Sequence, residues 1–101
     1  MLFLQISKHS PESCPMHHEK AKKAMEDLAS KMGPLTKKHG IKVIGTWVAV
    51  PMHLIVAVYD APNMEAMLKF SMEPEAMAWM GYNTTETMPV MTLEEVMKLL
   101  K

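Results

Sequence analysis

No arginine occurs anywhere in the chain. The guanidinium fork is the usual tool for gripping phosphate in two places at once, so its absence argues against a nucleic-acid partner. The cationic side chains are 11 lysines, balanced by 11 acidic residues to a formal net charge of zero, and they form no basic block. A single cysteine, Cys14, excludes an internal disulfide and fits a reducing, cytoplasmic setting. Long hydrophobic runs are missing as well. The apolar start, Met1-Leu2-Phe3-Leu4-Gln5-Ile6, is short and has no basic stretch before it, so it reads as a strand rather than a signal peptide. No run approaches the roughly 20 residues of a membrane span, so no membrane partner is expected.

What the chain has in excess is methionine, 13 residues of 101. The thioether is flexible and polarisable, and most of these residues are expected to fill core gaps. The length suits one domain spanning residues 1–101.

Hydrophobic period and turn residues divide the chain into elements. Leu2 to Ser7 alternates as a strand. Ser13 is a plausible helix cap, with Pro15 tolerated in the first turn of a helix whose inward stripe is Ala21, Met25, Leu28 and Met32. Gly33-Pro34 predicts a break, with a short helical restart through Lys38 ended by Gly40. Ile41 to Val50 and Leu54 to Tyr59 form a hairpin around Pro51-Met52-His53. Asn63 caps a helix over Met64 to Met72, and Pro74 opens a continuation to about Met80. Thr84 to Met91 is a strand, and its Pro89 suits an edge position. Thr92 and Glu95 have capping-box spacing before a short terminal helix.

This order predicts an α+β fold: a ferredoxin-like βαββαβ unit with a four-stranded antiparallel sheet in the order 4-1-3-2 and a short C-terminal helix. The two long helices cover one sheet face. Strands two and three are apolar on both faces, with Val43, Trp47 and Val56 assigned to one and Ile44, Val48, Ile55 and Tyr59 to the other. A second copy packing sheet to sheet is the expected cover, so a homodimer is predicted.

Element order, chain length and the apolar second face resemble the dimeric α+β-barrel superfamily. The stretch from Val58 to Met67, a strand followed by Asp60-Ala61-Pro62-Asn63 and a helix, has the look of its small members. The resemblance implies the dimeric barrel. It leaves the function open among metal-binding proteins, haem-handling proteins, and cofactor-free oxygenases or isomerases.

Ligand-type side chains crowd one place. His9-Ser10-Pro11-Glu12-Ser13-Cys14-Pro15-Met16-His17-His18 holds three of the five histidines and the only cysteine. Imidazole, thiolate and thioether bind soft and borderline metals. The predicted topology brings the end of strand one, the start of helix one and the hairpin turn to one edge of the sheet. His9, Cys14 and His17 should therefore share a rim with Met52 and His53. In the predicted helix Cys14 and His17 lie three apart on one face, His17 points to the sheet and His18 outward. A zinc ion would take His9, Cys14, His17 and His53; cuprous copper would prefer Cys14 with Met16, Met52 or Met80. Cys14-Pro15 also resembles the short Cys-Pro motif of haem-responsive proteins. Against these stand plainer roles, since a lone cysteine is most often a small buried hydrophobe.

An enzyme would instead use the space between helices and sheet. Its expected lining of Trp47, Met25, Met67 and Phe70 suits a small apolar ligand, with a rim histidine as base. No nucleophile triad, glycine-rich phosphate loop or carboxylate pair is present, so no catalytic residue is assigned. A structural or partner-binding domain without a ligand is the third possibility.

Overall fold

The computed structural model describes residues 1–101. In chain order the elements are β1 (Leu2–Lys8), α1 (Glu19–Lys38), β2 (Lys42–Ala49), β3 (Leu54–Asp60), α2 (Met64–Ser71), α3 (Pro74–Met80), β4 (Thr84–Val90) and α4 (Leu93–Leu99). Single 3-10 turns at Pro11–Ser13 and Val50–Met52 follow β1 and β2. The strands form one antiparallel sheet in the order β2-β3-β1-β4, which is the expected order read from its other edge. Pro89 sits on edge strand β4, where a missing N–H costs no ladder bond in the interior.

Strand alternation assigns the faces. Phe3, Gln5 and Ser7 of β1 lie opposite Tyr59, Ala57 and Ile55 of β3. Of these, Phe3, Ser7, Ala57 and Tyr59 are buried, so this is the face the helices cover. Phe3, Ile41, Ala57, Tyr59, Ala61, Met67 and Phe70 form one core cluster. Ala21, Ala24 and Trp79 form a second, between α1 and α3. The other face presents Leu2, Leu4, Ile6, Leu54, Val56 and Val58, all half-buried, together with the exposed Trp47 and Met88.

The chain departs from expectation in three places, each with a physical reason. A bulge between Val43 and Gly45 inserts one residue into β2, so Val43 pairs with Tyr59 on the helix side while Trp47 pairs with Val56 on the open side. Val43 therefore shares a face with Val48, and Ile44 is half exposed. Gly33-Pro34 does not break α1. Pro34 costs a helix of this kind about 3 kcal/mol. It lies exposed within a continuous helix whose Met32 and Leu35 pack on the first core cluster. Tertiary burial outweighs local propensity there. Finally, α1 begins at Glu19 rather than after Ser13. Its cap is His18, whose Nδ1 accepts the Ala21 N–H at 3.1 Å.

The terminal helix follows the sequence closely. Thr92 and Glu95 complete a reciprocal capping box, with the Glu95 N–H donating to Thr92 Oγ1 at 3.1 Å and the Thr92 N–H to Glu95 Oε1 at 3.1 Å.

A Cβ placed on Gly45 would come within 2.5 Å of the Trp47 ring, so the indole lies across this glycine on the open face. Gly45→Ala is expected to push the exposed indole aside with little loss of stability. The Trp47 indole N–H resonance should move while that of buried Trp79 stays. An unchanged Trp47 signal would contradict the packing of the indole across Gly45.

Candidate metal centre

The β1–β3 ladder ends at Lys8 and Leu54, but the pairing continues one residue further. The His9 amide donates to the His53 carbonyl at 3.1 Å. Alternation puts His9 on the helix-covered face after Ser7, where it is 8% exposed. His53 closes the 3-10 turn of the hairpin in the left-handed region, with φ of 52°, and its amide donates to the Val50 carbonyl at 3.1 Å. A non-glycine residue held there is uncommon and mildly strained, and such residues gather at functional sites.

Cys14 arrives from the other direction. The Pro11–Ser13 turn folds the chain back from β1, and the Cys14 amide donates to the Pro11 carbonyl at 3.3 Å. The Cys14 carbonyl then accepts from the amides of His17 and His18, so its backbone is tied on both sides. Its side chain is buried. One ligand atom from each of His9, Cys14 and His53 lies within 4.8 Å of the other two. Zinc bonds of 2.0–2.3 Å in a tetrahedron separate ligand atoms by about 3.3–3.8 Å. Side-chain rotations of about an ångström would close this set on one ion.

The polar groups at this point lack partners. Both ring nitrogens of His9, Nδ1 of His53 and Oδ1 of Asn83 are buried without a hydrogen bond, and the chain has no other buried side-chain nitrogen or oxygen in that state. An orphaned buried polar atom costs about 1–3 kcal/mol, so four together need a cause. Burial holds the His9 imidazole below its ordinary pKa, nearby His53 adds to that, and the Asn83 amide, close to His9 but without a formed hydrogen bond, acts in the opposite direction. Burial therefore favours the neutral imidazole, the form that binds metals. The His9 and His53 rings meet edge to face with centroids 5.2 Å apart, and Trp79 tilts against His9 at 6.3 Å.

The remaining candidates are distributed as follows. Met52 is exposed beside His53 and lines an open groove of about 600 Å³ with His9, His53 and Glu86. His17 is exposed, so the expectation that it points toward the sheet while His18 points away is reversed. With α1 starting at Glu19, His17 lies in the preceding turn and His18 turns in to cap, packing against Tyr82 at 5.4 Å. The same shift removes the helix start from Cys14. A cavity of about 340 Å³ does lie between helices and sheet, with Met25 and Phe70 in its wall. Met67 is packed in the core instead, and Trp47 is on the far face because of the β2 bulge. Sequence reasoning missed Asn83, which reads as an ordinary turn residue after α3. Its one signal is that α3 ends at the same sheet edge as the histidines.

These observations define an α+β protein with a compact His-Cys-His cluster at one sheet edge. The chain matches over residues 1–101 the family described as "Domain of unknown function (DUF3303)", and it belongs to that family. Among curated proteins, none matches it. Its fold is similar to the crystal structure of protein Atu4242 from Agrobacterium tumefaciens, with a TM-score of 0.50 and 10% identity over 92% of this chain and 96% of that one. At that identity the likeness concerns the fold alone.

Proposed function

We propose that the protein binds a transition-metal ion through Cys14 Sγ and one ring nitrogen each of His9 and His53. The observation that carries this is the convergence of ligand atoms from buried His9 and Cys14 and half-buried His53 within 4.8 Å, at a place where buried polar atoms lack partners. Two imidazoles and a thiolate suit zinc or cuprous copper. Three protein ligands leave zinc one position for water or another ligand, and the groove lined by Met52 gives access to it. An exposed thioether at that point favours copper among the two. Haem fits the donors less well, because haem iron takes protein ligands only along its axis whereas these three atoms surround a single point. A thiolate ligand is kept in the reducing cytoplasm, which is the location this function suits.

The functional unit in this proposal is a homodimer built on the open sheet face. Support comes from the run of Leu4, Ile6, Val56 and Val58 there, with Trp47 58% exposed. A contiguous apolar face of that kind is uncommon on a monomer. Wild-type protein should sediment at twice the 11.4 kDa chain mass, and Val56→Lys at the chain mass. A wild-type monomer at micromolar concentration would contradict the dimer.

A second reading is supported by the cavity between helices and sheet. It is lined by Met25, Leu28, Phe70 and Trp79, with Gln5, Ser7 and Thr46 as the polar part. Such a space suits a small apolar ligand of an oxygenase or isomerase. Ligand uptake there would quench Trp79 and leave Trp47 unaffected.

The metal proposal is tested by titrating tag-free apoprotein with zinc and, anaerobically, with cuprous ion. Wild type should take up one equivalent per chain. Cys14→Ala and His53→Gly should lose it, the glycine being at ease with a φ of 52° so that the turn survives. His17→Ala should bind as wild type does. Failure of the wild type to take up either ion would overturn the proposal, as would loss on His17→Ala.

A further inference from the structure

Asn83 is the fourth member of the orphaned set and has no role so far. Its amide is held in one orientation. The side-chain nitrogen donates to the Trp79 carbonyl at 2.8 Å, and a carbonyl oxygen accepts only, so the nitrogen must face it. The backbone supports the same placement, because the Asn83 amide donates to the Met80 carbonyl at 3.0 Å at the end of α3. Oδ1 is therefore turned away from Trp79, and it is buried without a partner. Trp79, to which the amide is anchored, packs its ring against His9.

Donors and acceptors then pair in only one economical way. Asn83 Oδ1 is an acceptor and needs an N–H. A neutral imidazole has one N–H and one lone pair. If the His9 N–H goes to Asn83, the other His9 nitrogen is left as an acceptor beside His53 Nδ1 and the Cys14 sulfur. A metal ion that displaces the thiol proton would take a lone pair from each. Histidine ligands commonly give their second N–H to such an acceptor, which fixes the tautomer and aims the ligating nitrogen.

Resting on the metal proposal above, we propose that Asn83 is a positioning residue, accepting the His9 N–H through Oδ1 and so turning the other ring nitrogen toward Cys14 and His53. Its partner at the sheet edge, His53, is aimed by its backbone turn instead. The two histidines are thus oriented by different means, one through a side-chain hydrogen bond and one through a left-handed residue.

The test uses the full chain in metal-free form and then with zinc. Long-range proton–nitrogen NMR spectra report the tautomer of each imidazole, with His9 assigned by the loss of its signals in His9→Leu. Wild-type His9 should be a single neutral tautomer at pH 7.5, and Asn83→Leu should give a mixture of the two. The zinc affinity of Asn83→Leu should fall about 10- to 100-fold, the usual cost of removing such a partner. A mixed tautomer in wild-type His9 would overturn the proposal without any Asn83 variant having to fold. So would an Asn83→Leu protein with the wild-type tautomer and wild-type affinity. Absence of zinc and cuprous binding in the wild type itself is the separate failure of the metal proposal, seen before Asn83 is touched.

Discussion

The amide of His9 donates to the carbonyl of His53 at 3.1 Å, one residue beyond the last paired positions of β1 and β3. Much of the site depends on that extra rung. It holds the two imidazoles on the same side of the sheet, opposite one another, before either side chain makes any contact of its own. The αL turn at His53 and the 3-10 turn ahead of Cys14 then bring the remaining ligand onto the same point. Above them the end of α3 supplies Trp79 and Asn83 as a lid. Four separate chain segments meet there. The sheet register decides whether they meet at all, since a slip of one residue would turn His9 to the open face.

The cluster also shows a conflict between stability and chemistry. Buried polar atoms are normally paired, and elsewhere in this chain they are. Ser7 meets Thr85, Gln5 meets Thr87, and the Tyr59 hydroxyl donates to Gln5. The exceptions are confined to one spot, and their types are those of metal ligands and of the groups that orient them. The neighbouring cavity shares Trp79 with this cluster, so whatever enters either space meets a common wall.

Much of the fold was legible in the sequence. Asn63, Thr92 with Glu95, and Pro74 marked helix starts through local hydrogen-bonding rules that packing did not override. The rim shared by His9, Cys14, His53 and Met52 followed from element order alone. What escaped was set by tertiary contacts. Pro34 stays helical because Met32 and Leu35 are anchored in the core. The bulge before Gly45 has no local mark except a glycine, yet it moves Trp47 from the cavity to the open face. His17 and His18 were interchanged because the helix begins later than Ser13 suggested, and a histidine cap is not a common start signal. Asn83 was invisible because the role proposed for it joins it to His9, 74 positions away in sequence.

In the proposed site one thiolate and two imidazoles meet at a single ion, and the shell around a bound metal reports this directly. X-ray absorption of zinc-loaded protein should show one sulfur at about 2.3 Å and two imidazole nitrogens at about 2.0–2.1 Å, completed by one light atom. A shell of nitrogen and oxygen alone, with no sulfur, would contradict it.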